Sequence, residues 1–117
     1  MGAARLLIVD DEETLLNLLR RYLERQGFQV ETCATAETAL QLVSKEPGGF
    51  ALVITDLTLK GMNGAELIEQ IRRLQPGLPG LITSGYPHVP AAKGVGFLQK
   101  PFLPRMLLDA VEQALKR

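Results

Sequence analysis

Short apolar runs alternate along this chain with longer stretches in which apolar residues recur every three or four positions. The first pattern suits buried strands and the second suits amphipathic helices. Arg5 to Val9 reads as a strand, followed by a helix over Glu12 to Gln26 with Leu15, Leu19, Tyr22 and Leu23 on one face and Gly27 as its stop. Phe28 to Cys33 is the next strand. Its partner helix starts after Thr35, a suitable N-cap, turns Ala36, Ala39, Leu40 and Val43 inward, and ends before Pro47-Gly48-Gly49. Ala51 to Thr55 is apolar without interruption, as expected of a central strand covered on both faces. A third helix opens near Asn63-Gly64, with Glu66 placed as in a capping box and Leu67, Ile71 and Leu74 as its inward stripe. Pro76-Gly77-Leu78-Pro79 breaks the pattern before strands at Gly80 to Thr83 and Val95 to Leu98. The last helix carries Pro104 in its first turn and buries Leu107, Val111, Ala114 and Leu115. This alternation predicts an α/β domain: five parallel strands with helices on both faces.

With 117 residues and no linker, repeat or low-complexity segment, residues 1–117 are expected to form one domain. The composition, 46% hydrophobic and 22% charged with zero formal net charge, provides no broad basic field, so direct nucleic-acid binding is not expected. No apolar run is long enough to span a membrane, and Met1-Gly2-Ala3-Ala4-Arg5 lacks the apolar segment of a signal peptide, which makes a cytoplasmic location the expectation. The single cysteine, Cys33, has no internal disulfide partner and sits where a small buried thiol fits.

Candidate chemistry collects at the strand ends. The apolar runs stop at Asp10-Asp11, at Asp56, at Ser84 and at Lys100, and in an open parallel sheet the carboxyl ends of the strands share one crevice. Carboxylates brought that close repel unless a cation joins them, and hard oxygen donors suit magnesium, so Asp10, Asp11 and Asp56 read as a magnesium-type site. The plainer alternative for Asp11-Glu12-Glu13 is a favourable acidic first turn of a helix. Lys100 and Ser84 add a fixed positive charge and a hydroxyl, each able to grip an oxygen of a phosphoryl group transferred to Asp56. Asp56 would attack phosphorus as the nucleophile and form an acyl phosphate.

Asp10-Asp11-Glu12, Ile54-Thr55-Asp56-Leu57, Thr83-Ser84-Gly85-Tyr86 and Lys100-Pro101-Phe102 together resemble the receiver domain of two-component response regulators, over almost the whole chain. The resemblance implies a flavodoxin-like, doubly wound sheet in the order 2-1-3-4-5 with five helices. It implies that Asp56 is the phosphoacceptor, that Asp11 and Asp56 bind Mg2+ directly and Asp10 mainly through water, and that Thr58 contributes its backbone carbonyl. Lys100 would pair with Asp56 or its phosphate, next to a cis bond to Pro101. Ser84 and Phe97 would form the switch pair, Gly85 would leave room for a donor histidine, and Tyr86 would shield the acyl phosphate. The implied partner is a histidine kinase or histidine phosphotransfer domain. No enzyme activity is implied beyond the domain's own phosphorylation and dephosphorylation.

Two departures stand out. Lys60 replaces the proline common in the loop after the acceptor strand, and the segment Tyr86 to Gly94 is short and contains Pro87 and Pro90, so a fourth helix of at most a turn or two is expected. His88, in that segment, lacks neighbours at metal-ligand spacing and reads as an exposed loop residue. A haloacid-dehalogenase-like phosphatase would need an acid at Thr58, and a flavodoxin-type phosphate cradle would be repelled by Asp10-Asp11-Glu12. The remaining rival is a receiver-like protein-binding module that works without phosphorylation. The last two motifs also resemble receivers of hybrid sensor kinases, and with no output domain in view both a stand-alone regulator and a domain of a larger kinase or regulator chain are compatible with the sequence.

Overall fold

In the computed structural model, which describes residues 3–116, strands β1 (Arg5–Val9), β2 (Gln29–Cys33), β3 (Leu52–Asp56), β4 (Gly80–Ser84) and β5 (Val95–Gln99) form one parallel sheet in the order β2-β1-β3-β4-β5. Helices α1 (Glu13–Arg25), α2 (Ala36–Lys45), α3 (Gly64–Leu74) and α4 (Pro104–Leu115) cover it. Side chains alternate across a strand, so β1 sends Leu7 and Val9 into a core beneath α2 and α3, and Leu6 and Ile8 into a second core beneath α1 and α4. Every residue of β4 and the first four of β3 are buried, as the uninterrupted apolar run at Ala51 to Thr55 required of the sheet's centre.

Local chemistry fixes the helix ends. Asn63 Oδ1 accepts the Glu66 backbone N–H at 2.9 Å, and Thr35 Oγ1 accepts that of Thr38 at 3.1 Å. α1 begins at Glu13 rather than Glu12. Asp10 Oδ1 accepts the Glu12 N–H at 2.9 Å, a side-chain turn that holds Glu12 in extended conformation outside the helix. The inward face of α1 holds Leu19 and Leu23 as expected and adds Leu16, while Leu15 and Tyr22 pack at its edge. Leu74, in the last turn of α3, is 39% exposed rather than inward.

The larger correction concerns the β4–β5 crossover. No helix forms between Ser84 and Val95, within the limit of at most a turn or two set by the prolines, so the described residues hold four helices rather than the five that the resemblance implied. Pro87 and Pro90 each remove a backbone donor and clash with the preceding turn, leaving too little chain to nucleate a helix. Arg72 on α3 secures the connection instead: its Nε donates to the Leu78 carbonyl at 2.8 Å and its Nη1 to the Lys93 carbonyl at 2.7 Å.

Candidate functional site

Parallel register carries the predicted residues to one edge of the sheet. Val9 aligns with Thr55, Asp56 with Thr83, and Ser84 with Gln99, so Asp10, Asp11, Asp56, Ser84 and Lys100 all lie at or just past the carboxyl ends of their strands. Oxygens of Asp10, Asp11 and Asp56 come within 4.8 Å of one another. Asp10 is 3% exposed. Its Oδ1 is held by the Glu12 N–H, and its Oδ2 accepts from Lys100 Nζ at 2.9 Å. The same ammonium lies 3.6 Å from Asp56 Oδ2, so Lys100 faces Asp56 as the resemblance implies and is bonded more closely to Asp10. The Lys100-Pro101 bond is cis.

Three carboxylates around one ammonium leave the site with surplus negative charge. Asp56 is pushed above the ordinary carboxylate range: burial is the main cause, Asp10 and Asp11 add repulsion, and Lys100 and the Thr58 backbone N–H oppose it. Lys100 is raised as well. Burial works against its charge, but the hydrogen bond it donates to Asp10 and the charges of Asp10 and Asp56 outweigh that effect. An all-oxygen donor set with excess negative charge, open to solvent at Asp11, fits a hard divalent cation such as magnesium.

β3 is held from below as well. Leu57 N–H donates to the Thr83 carbonyl, Gly64 N–H donates to the Leu57 carbonyl, and Thr55 Oγ1 donates to the Asp56 carbonyl. A Cβ at Gly64 would overlap the Asp56 carbonyl oxygen, so only glycine lets α3 start this close to the site. The sequence signal for this role was present as a glycine directly after the Asn63 cap, but its partner is visible only in three dimensions.

Ser84 is buried, its Oγ accepts the Tyr86 N–H at 3.0 Å, and its carbonyl accepts the Lys100 N–H at 2.7 Å, which ties the hydroxyl's strand to the lysine's. Gly85 borders open space, Thr58 and Lys60 are exposed, and Tyr86 is 78% exposed. Phe97 is half-buried against the core beneath α2 and α3. His88 is not the exposed loop residue expected: it is half-buried, and its ring tilts against Phe97 with centroids 6.1 Å apart.

Known proteins resemble this chain in sequence and fold. The transcriptional regulatory protein GlrR of Escherichia coli (strain K12) is 35% identical over 97% of this chain and 27% of its own length. Sensor kinase CckA of Brucella abortus (strain 2308) is 29% identical over 99% of this chain and 13% of its own. The chain thus spans less than a third of these curated relatives. Among solved structures, the receiver domain of the hybrid histidine kinase CckA superposes with a TM-score of 0.88 at 31% identity, covering 96% of this chain and 99% of that one. Chemotaxis protein CheY4 of Vibrio cholerae gives 0.89 at 27% identity, covering 97% and 100%. The sequence model described as "Response regulator receiver domain" matches residues 6–112, nearly the whole fold with every strand end that builds the site, and by that match the chain belongs to the receiver domain family of two-component systems.

Proposed function

We propose that this domain accepts a phosphoryl group on Asp56 from the phosphohistidine of a histidine kinase or phosphotransfer domain and thereby switches a protein-interaction face. The observation that carries this reading is the junction of three strand-end carboxylates with Lys100 at one edge of the sheet. Asp56 supplies the nucleophile: a carboxylate oxygen forms the new bond to phosphorus in line as the phosphorus–nitrogen bond of the donor breaks, and the released imidazole nitrogen keeps the electron pair and takes up a proton. Magnesium held by Asp10, Asp11, Asp56 and the Thr58 carbonyl would neutralise charge on the phosphoryl oxygens. Lys100 offers a fixed ammonium to one of those oxygens, with Asp10 as its anchor.

Ser84 gives up the Tyr86 N–H to reach the phosphoryl group, and Phe97 fills the space released, which shifts the surface around β5 and the helix-free connection. Gly85 leaves the approach open to the donor ring, and Tyr86 slows water attack on the product. The partner kinase acts either in trans or within the same longer chain, in the cytoplasm, and the domain catalyses nothing beyond its own phosphorylation and dephosphorylation. The test is incubation with acetyl phosphate, with and without magnesium, followed by intact-protein mass measurement. One phosphoryl group should appear only with magnesium and should be lost in Asp56→Asn. A chain that stays unlabelled while still binding a partner would instead support the phosphorylation-independent module.

A further inference from the structure

Asn63-Gly64 joins the β3–α3 loop to its helix, and it is a reactive dipeptide as well as a cap. The side-chain amide carbon of an asparagine is an electrophile, and attack on it by the next backbone nitrogen closes a five-membered ring. Glycine in the next position has no side chain to obstruct that closure. The chain holds one other asparagine, Asn17, which lies within α1 and is followed by Leu18. Asn63 is exposed, so water reaches its side chain.

The fold restrains both reacting groups. Asn63 Oδ1 accepts the Glu66 N–H at 2.9 Å, which ties the amide to the first turn of α3. Gly64 is buried, and its N–H donates to the Leu57 carbonyl at 2.8 Å. Ring closure needs that nitrogen deprotonated and turned onto Asn63 Cγ, so both bonds must break first. Local opening of the loop is enough to break them.

We propose that Asn63-Gly64 is a site of spontaneous deamidation, held in check by the cap and by the bond to Leu57, and that its isoaspartyl product disables the adjoining carboxylate site. The Gly64 nitrogen forms a bond to Asn63 Cγ and gives up its proton. The bond from Cγ to the amide nitrogen breaks, and that nitrogen leaves with a proton as ammonia. Water then opens the succinimide. Attack at Cγ yields aspartate at position 63, whereas attack at the main-chain carbonyl carbon yields isoaspartate, with the backbone running through Cγ.

The two products differ in what they do to α3. Aspartate keeps a capping oxygen and adds a negative charge that a helix N-terminus favours. Isoaspartate adds a methylene to the main chain directly before Gly64, where the backbone lies so close to the Asp56 carbonyl that not even a Cβ fits. It therefore breaks the cap and displaces Gly64 from Asp56. The loss of phosphorylation that follows rests on the function proposed above; the reaction and the loss of stability do not.

The test is incubation of the whole chain at mildly alkaline pH, with and without denaturing guanidinium chloride. Peptide mass spectrometry, with a protease that cuts at aspartate but not at isoaspartate, then assigns the products. Asn63 should convert to both products in denaturant and at least about tenfold more slowly in the folded chain, while Asn17 stays intact in both. Asn63→Ser keeps a capping oxygen and should give neither product. Gly64→Ala should slow the reaction in denaturant, where its overlap with Asp56 no longer matters. The purified isoaspartyl chain should melt about 5 °C or more below the unmodified chain, and Asn63→Asp within about 2 °C of it. With acetyl phosphate and magnesium, the isoaspartyl chain should take up less phosphoryl group than the unmodified chain beside it. The proposal is overturned if the denatured chain does not convert at Asn63, if the folded chain converts as fast as the denatured one, or if the isoaspartyl chain melts with the unmodified chain. An unmodified chain that takes up no phosphoryl group overturns the function proposed above, while the conversion rates and melting temperatures decide this proposal without it.

Discussion

Two crossovers leave the buried centre of this sheet and reach their next strands by different means. After β3 the chain turns, is capped by Asn63, and lays α3 over the core; after β4 it crosses residues 85–94 without a helix and is pinned to α3 by Arg72. The strand ends nevertheless remain in register on both sides, because backbone ladders set them: Leu57 N–H to the Thr83 carbonyl on one, Lys100 N–H to the Ser84 carbonyl on the other. The site is therefore a property of the sheet edge. The crossovers decide what surface surrounds it.

Substitutions on the two sides should separate these roles. On the α3 side, Gly64→Ala forces a methyl against the Asp56 carbonyl, held in place by β3, and should cost about 2–3 kcal/mol in urea unfolding while slowing phosphorylation. On the helix-free side, Gly85→Ala meets open space and Val89, 88% exposed, has little packing to lose, so Gly85→Ala and Val89→Ala should each stay within about 0.5 kcal/mol. Comparable losses on both sides would break the comparison. Lys100→Ala leaves the Asp10 carboxylate buried beside Asp56 without its cation, and about 1–3 kcal/mol of stability should be lost, less than for a fully buried pair because the lysine is partly exposed.

Asp56→Asn should act in the opposite sense. It removes a desolvated charge from a cluster with surplus negative charge, so without metal the Tm should rise by about 2–5 °C, and the stabilisation that magnesium gives the unsubstituted chain should shrink. Differential scanning fluorimetry in EDTA and in magnesium reads both effects.

The smallest effect is expected at Cys33, the last residue of β2, whose thiol is pushed up to about 12 by burial first and by the charge of Glu31 second. Its folded value lies above the unfolded one, so the stability from burying the neutral thiol is complete below the unfolded thiol range and fades as pH climbs through that range toward the folded value. An aromatic disulfide reagent at pH of about 8 should therefore label Cys33 only as the chain unfolds.

The same division explains what the residue pattern could reveal. The parallel sheet covered on both faces and the convergence of Asp10, Asp11, Asp56, Ser84 and Lys100 follow from alternation and from where each apolar run stops, whereas the strand order comes only from the family resemblance. Charge type is legible in a sequence, but the nearer of two carboxylates is not, so the Lys100 bond to Asp10 emerges only from the fold. The start of α1 at Glu13 has a local cause: the side-chain turn from Asp10 to Glu12 keeps Glu12 extended outside the helix. His88 was illegible for a different reason. Its segment has no periodicity, so nothing in the pattern indicates that its ring meets Phe97 on β5.

Of the three carboxylates whose oxygens lie within 4.8 Å of one another, Asp56 alone should carry the phosphoryl group. Borohydride reduction of the acyl phosphate after acetyl phosphate treatment in magnesium, followed by peptide mass spectrometry, assigns the modified residue directly. The modification should map to Asp56; modification of Asp10 or Asp11, or its persistence in Asp56→Asn, would contradict that assignment.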